Sequence, residues 1–374
     1  MKIRTMDCFD YLLGYAHGEY VMSGGRAATS QVGTLLRLQT DEGLEGWGEI
    51  TPLGATYLPT HAEGVRSALH LLAPHLLGCD PTNISLIWDV MDKALLGHSF
   101  AKSAVDIACW DLKGKVLGVP ISVLLGGTQQ EDFPIYEAVP LGSPDEMAAF
   151  VKRRSAVGIN RFQLKVGGEP SLDVARTTAC VSSAREDAVV IADANGGWNL
   201  LDAQKATKAM EGLPILVEQP CRTTSDCAQA MRHCTLPLVM DESVVSMSDV
   251  FAAKRVAGAS SINIKLSRVG GITKATLMRD VMQRLNQMVS VEDMWGGDVI
   301  TAAVSHVAAS TRPESLLMTS FFNDWTDGHV AGYQPRSANG RGAAPTGPGL
   351  GINVETGLLR ELFSIDRQAN EVSR

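Results

Sequence analysis

The chain has 374 residues, room for a barrel of about 250 residues and a second domain of about 100. Its composition is that of an ordinary globular protein, and a net charge of −8, a pI near 5.5 and no Lys/Arg cluster exclude the footprint of a nucleic-acid binder. No apolar run approaches the roughly 18 residues of a membrane span, and MKIRTMDCFDYLLGY lacks a signal-peptide core, so a cytoplasmic protein with no membrane partner is expected.

Residues 1–125 read as an α+β domain. Val32 to Gln39 forms a strand, Asp41-Glu42-Gly43 a turn, and a second strand ends at Trp47-Gly48-Glu49, which together make a hairpin. Helices follow at about 62–76 and 99–118, the second carrying Ala104, Ile107, Ala108, Asp111 and Leu112 at helical spacing. The seven cysteines are odd in number and scattered, which suits reduced thiols, and Cys221, Cys227 and Cys234 are too widely spaced for a zinc knuckle.

Residues 126–340 carry a βα rhythm. Strands are expected at Pro134–Val139, Arg161–Val166, Val189–Asp193, Ile215–Glu218, Leu238–Asp241, Ser261–Lys265, Met288–Glu292 and Leu316–Phe321, with amphipathic helices between most of them. Eight such strands close a (β/α)8-type barrel. Residues 341–374, opening with GRGAAPTGPGLG, read as an extended strap returning toward the cap.

Five charged residues stand at or next to the ends of successive apolar runs, Lys165, Asp193, Glu218, Asp241 and Lys265, in steps of 28, 25, 23 and 24 residues. Each step is about one strand, one helix and two loops, so all five belong at C-terminal strand tips, where barrel enzymes place their chemistry. The acids fall on strands 3, 4 and 5, and neighbouring strands lie about 4.8 Å apart, so three carboxylates should converge and need a cation. Hard oxygen ligands without Cys or His select Mg²⁺ or Mn²⁺ over zinc.

The lysines fall on strands 2 and 6, on opposite walls of the ring. A carboxylate substrate held at the metal would present its α-carbon between them, with the metal stabilising the enediolate left when the α-proton departs. Return of a proton from the far face inverts the centre. A β-hydroxyl protonated by the second lysine leaves as water. The spacing is compatible with both outcomes.

Here the chain resembles the enolase superfamily, in its mandelate racemase/muconate lactonizing branch, over nearly its whole length. The segment FAKSAVDIACWDLKGKVLGVPISVLLGG is similar to that family's domain junction. The resemblance implies Asp193, Glu218 and Asp241 as magnesium ligands and Lys165 and Lys265 as the acid/base pair, an arrangement also given as a general pattern for this superfamily. It further implies a cap whose loops around Gly18–Arg26 and Thr51–Pro59 close over the substrate, and a homo-oligomer. The motifs YVMSGGR, GWGEITPLGATYLP, RFQLKVGG, VEDMWGGDVITAA and SFFND resemble the cis-3-hydroxy-L-proline dehydratases, with hydroxyproline-betaine epimerases as near relatives.

Many relatives carry Lys-x-Lys on strand 2, whereas this chain has Gln163 before Lys165. Loss of that charge disfavours a dianionic substrate and suits an amino or imino acid. Asp293 is a candidate acceptor for the substrate's ammonium, or caps the following helix. Tyr57, Trp295, Phe321, Phe322 and Trp325 are candidates for an aromatic wall near a cationic nitrogen. Asn195 completes the expected substrate-binding set.

The first reading is therefore dehydration of cis-3-hydroxy-L-proline to Δ1-pyrroline-2-carboxylate, with 2-epimerisation alongside. A racemase or epimerase of proline betaine, hydroxyproline betaine or another amino acid needs the same five residues, and a sugar-acid dehydratase is a third reading. A non-catalytic binding protein on the same fold predicts drifted site residues, and all five are intact. A metal-dependent hydrolase would want strand-end histidines, and none of the eight ends a strand.

Overall fold

The computed structural model describes residues 1–367. The N-terminal part is built on an antiparallel sheet in the order Arg360–Asp366, Ile3–Gly14, Ser30–Thr40, Glu45–Ile50. The expected hairpin is its second half. The long strand Ile3–Gly14 was not expected, because it is buried along almost its whole length and lacks clean alternation. Helices Ala62–Leu76 and Ser99–Leu117 cover this sheet, and Ile84–Ala94, also unforeseen, packs on those two helices. The third ends at Gly118, whose left-handed φ of 69° stops the helix.

Two glycines let strand and helix meet. A Cβ on Gly46 or Gly48 would collide with the carbonyl oxygens of Ala108 and Ala104, so strand Glu45–Ile50 lies directly on helix Ser99–Leu117. Asp111 of that helix is fully buried and accepts the N–H of Trp47 at 3.0 Å, the N–H of Leu350 at 2.8 Å and Lys115 Nζ at 2.7 Å. One carboxylate thus joins the sheet, the junction helix and the strap.

Eight parallel strands follow: Glu137–Val139, Arg161–Lys165, Val189–Asp193, Ile215–Glu218, Leu238–Met240, Ser261–Lys265, Met288–Glu292 and Leu316–Thr319. A parallel bridge between Ile135 and Thr319 joins the last to the first and closes the ring. A helix follows each of the first seven strands, giving a (β/α)8-type barrel beneath an α+β cap. The expected strand Pro134–Val139 is divided. Pro134 has no N–H to give, and Phe133–Pro134 pairs instead with Arg341–Gly342 of the strap. The runs ending at Val166, Asp241 and Phe321 stop one or two residues earlier, so Asp241 stands just beyond its strand.

The strap returns to the cap, where Arg360–Asp366 pairs antiparallel with Ile3–Gly14. Residues 368–374 of that segment lie outside the described residues. Among the described residues no helix is long and apolar enough to cross a membrane.

His306, on helix Asp298–Ala309, ties the junction to the strap from a fully buried position: its Nδ1 accepts the N–H of Ser122 at 3.3 Å and its Nε2 faces the Leu350 carbonyl at 3.1 Å. Burial pushes its pKa down from 6.5 to about 4. A depressed folded pKa means that the neutral ring's contribution is complete above pH 6.5 and drains as pH falls toward 4, by about 3 kcal/mol in all. Urea midpoints should fall steeply over that window in the wild type. His306→Gln should be less stable at pH 7 and show a flatter pH dependence, and equal slopes would remove His306 from the account.

Candidate active site

Strand register sets the site. Lys165 pairs with Asp193, Asp193 with Glu218, and Lys265 with Glu292, so these side chains stand at matching levels around the ring. All are buried. Alternation along each strand sends Gln163 and Lys165 inward together, and likewise Asn263 and Lys265.

Lys165 Nζ donates to Asp193 Oδ2 at 2.5 Å and to Gln163 Oε1 at 2.8 Å. Across the ring, Lys265 Nζ donates to Asp241 Oδ2 and to Glu292 Oε1, both at 2.6 Å. Arg268, on the one-turn helix Leu266–Val269, reaches Asp241 Oδ1 at 2.6 Å and the Asn263 carbonyl at 2.7 Å. Glu218 meets only amides: Gln163 Nε2 at 3.0 Å from both its oxygens and Asn263 Nδ2 at 2.8 Å. Asn195, held at φ 47°, donates to Asp193 Oδ2 at 2.8 Å and to Glu242 Oε1 at 2.9 Å, leaving its own Oδ1 without a partner.

The electrostatics follow from this pairing. Burial, with Asp193, Asp241 and Glu292 nearby, pushes Glu218 well above the usual carboxylate range. Burial also opposes ionisation of Asp241, but Lys265 and Arg268 outweigh it and hold that carboxyl well below its ordinary value. Desolvation would lower both lysines, yet Asp193 holds Lys165 up and Asp241 with Glu292 holds Lys265 up. Both amines are therefore ammonium groups as they stand, and either must lose a carboxylate partner before it can take a proton.

The expected convergence of three acids on one point is redistributed here. Asp193 and Asp241 are drawn to the lysines, and among the described residues no three His, Cys, Asp or Glu side chains gather closely enough to hold an ion as placed. The donor set still suits a hard divalent cation, since it is all oxygen, and Glu218, reached by no cation of its own, marks where positive charge is missing.

The other expected contacts divide. Tyr57 lies over the site, its hydroxyl donating to Asp241 Oδ2 at 3.3 Å. Trp295 is fully buried against Tyr15 and Tyr20, at centroid distances of 5.5 and 5.4 Å, with Phe322 at 6.4 Å and Trp325 edge-on to Phe322 at 4.9 Å. Gln163 bridges Lys165 and Glu218. The carboxylate of Asp293 is engaged by Ser267 N at 2.9 Å, Ser267 Oγ at 2.7 Å and Met294 N at 2.7 Å. Phe321 packs on Phe133 at 6.0 Å and against Gly342 of the strap.

Glu292, one residue before Asp293, is the carboxylate that reaches Lys265, and Tyr136 donates to its other oxygen. Strand alternation carried the signal: Glu292 shares the inward face of Ser290, and Asp293 cannot. Arg268, Asn263, Glu242 and Tyr20 were also missed. A cavity of about 490 Å³ opens between cap and barrel mouth, lined by Arg26, Tyr57, Gly167, Asn195, Arg222 and Glu242 among others.

Comparison with known proteins agrees with this architecture. The chain is 41% identical over 361 residues to cis-3-hydroxy-L-proline dehydratase of Roseibium aggregatum, covering 96% of this chain and 98% of that protein. It is 31% identical over 284 residues to N-succinyl-L-Arg/Lys racemase of Bacillus cereus, covering 74% and 76%. A mandelate racemase/muconate lactonizing enzyme structure from Roseovarius nubinhibens, solved with magnesium, superposes with a TM-score of 0.94 at 34% identity, over 98% of this chain and 100% of that one. Residues 17–126 match the mandelate racemase/muconate lactonizing enzyme N-terminal domain and residues 146–357 the enolase C-terminal domain-like family, so the chain belongs to the enolase superfamily, in its mandelate racemase/muconate lactonizing branch.

Proposed function

We propose that this enzyme removes the α-proton of an imino acid and dehydrates cis-3-hydroxy-L-proline to Δ1-pyrroline-2-carboxylate, with 2-epimerisation as its second outcome. The observation that carries this reading is the pair of buried lysines on strands 2 and 6, each held against a strand-end carboxylate across one closed mouth. The relative that acts on cis-3-hydroxy-L-proline by name supports the substrate.

Asp193, Glu218 and Asp241 would hold Mg²⁺, which supplies positive charge for the substrate carboxylate; with those acids so engaged, the lysine amines are released to exchange protons. In cis-3-hydroxy-L-proline the hydroxyl and the carboxylate share one ring face, so the α-hydrogen lies on the other. One lysine takes the α-hydrogen and the opposite lysine gives a proton to the hydroxyl. The C2–H and C3–O bonds break, a C2–C3 double bond forms, water leaves, and the enamine tautomerises to the cyclic imine. Glu292, in place of Asp293, is the carboxylate positioned to meet the ring ammonium, with Trp295 closing the apolar side. Gln163 keeps Lys165 and Glu218 in register without adding the charge that a dianion would need.

In D₂O with Mg²⁺, the enzyme should form the imine from cis-3-hydroxy-L-proline and place deuterium at C2 of proline. Lys165→Ala and Lys265→Ala should each lose about 10³-fold in kcat with the fold intact, and full activity in both would end the two-base reading. Chelation should abolish turnover, with Mg²⁺ restoring it; activity persisting after exhaustive chelation removes the ion from the proposal. Glu292→Gln should raise KM for the imino acid about tenfold, whereas Asp293→Asn should mainly lower thermal stability. The reverse pattern would return the ammonium contact to Asp293.

A further inference from the structure

Each of the two lysines lies under a tyrosine from the cap, and the tyrosines belong to different cap segments. Tyr20 sits on the short hairpin formed by Tyr20–Met22 and Arg26–Ala28, and its ring centroid is 6.0 Å from Lys165 Nζ. Tyr57 follows strand Glu45–Ile50, and its ring centroid is 6.0 Å from Lys265 Nζ.

Both rings are held from behind. Tyr20 is packed between Tyr15 and Trp295, each at 5.4 Å, and its hairpin is fixed to the barrel where Leu141 N donates to the Val21 carbonyl at 2.9 Å. Tyr57 also carries the Arg26 guanidinium, 5.7 Å from its ring centroid. Arg26 also grips Ser23 through its carbonyl and its Oγ, both at 2.9 Å, so one arginine of the first segment backs the tyrosine of the second.

We propose that the cap assigns one tyrosine to each lysine, Tyr20 to Lys165 and Tyr57 to Lys265, and that each is a positioning residue for proton transfer on its own face of the substrate. This rests on the two-base reading above. The physical grounds are local. A lysine amine ends a flexible four-carbon stem, and an aromatic face over it attracts the cationic form, excludes water and narrows the positions that the nitrogen can take. Proton transfer is sensitive to displacements of about 1 Å, so confinement on one wall changes the rate on that wall. The opposite wall has its own ring.

The test reads each face separately through α-deuterium exchange of L-proline and D-proline in D₂O with Mg²⁺. Lys265→Ala leaves Lys165 as the exchanging base, and Lys165→Ala leaves Lys265. Adding Tyr20→Leu should slow exchange about tenfold in the Lys265→Ala enzyme and less than about twofold in the Lys165→Ala enzyme. Tyr57→Leu should do the opposite. Tyr20→Phe, which keeps the ring, should recover most of the rate. Each Leu variant is its own folding control, because one background must retain its exchange. Equal losses in both backgrounds, or none in either, overturn the pairing while leaving the two-base reading in place. Absence of exchange in the wild type overturns that reading itself.

Discussion

Four carboxylates, Asp193, Glu218, Asp241 and Glu292, crowd one dry barrel mouth, and the need to neutralise them governs the surrounding structure. An unpaired buried charge costs several kcal/mol. Lys165, Lys265 and Arg268 meet three of the four directly, while Gln163 and Asn263 give Glu218 only neutral donors. The site is accordingly balanced except at Glu218. Reactivity comes from the same balance: the lysines stay protonated as long as the acids claim them, and any cation that takes those acids alters what the amines can do.

The cap must be seated just as firmly for its two segments to matter, and it is seated by other buried acids. Glu49 crosses from cap to barrel, accepting Gly297 N at 2.8 Å and Ile300 N at 2.9 Å at the start of helix Asp298–Ala309, with Tyr11 Oη at 2.5 Å. A side chain on Gly297 would strike the Tyr11 hydroxyl, so the glycine is what admits this contact. Asp106 similarly joins Trp88 of the cap at 2.7 Å to Thr273 N of the barrel at 3.0 Å. Both acids are fully buried, and desolvation raises them, Glu49 to about 7 and Asp106 to about 6. Glu49 also fixes the helix that follows Trp295, so the seating of the cap and the aromatic side of the site are set by one residue.

The barrel and the five charged tips were legible because a strand-plus-helix period leaves a strong signal in a single sequence. What escaped notice shares a cause, namely dependence on the third dimension. Ile3–Gly14 is covered on both sides, so its pattern blurs. Glu292 and Asp293 stand at the end of one apolar run, and only the strict two-residue alternation separates them. The packing of Phe321 against Gly342 depends on the strap, which returns from far along the sequence. Tyr20 lies in a three-residue strand whose relevance appears only when the hairpin folds over Lys165.

Elimination and inversion share their first step and differ in what the far lysine finds. With a hydroxyl on the β-carbon opposite the α-hydrogen, its proton goes to oxygen and the group leaves. With no leaving group, the proton goes to carbon and the centre inverts. The five residues are equally suited to both, and the choice belongs to the substrate and to the walls that fix its ring. On the reading proposed above, those walls come from three sources: Trp295 after strand 7, Tyr20 from one cap segment and Tyr57 from the other. Because the tyrosines are carried by cap segments and the acids by barrel strands, the cap can change while the strand-end charges in the mouth are kept, although Tyr57 also touches Asp241. That separation gives a physical reason why one barrel mouth can be shared by dehydratases and racemases that differ chiefly in what they admit.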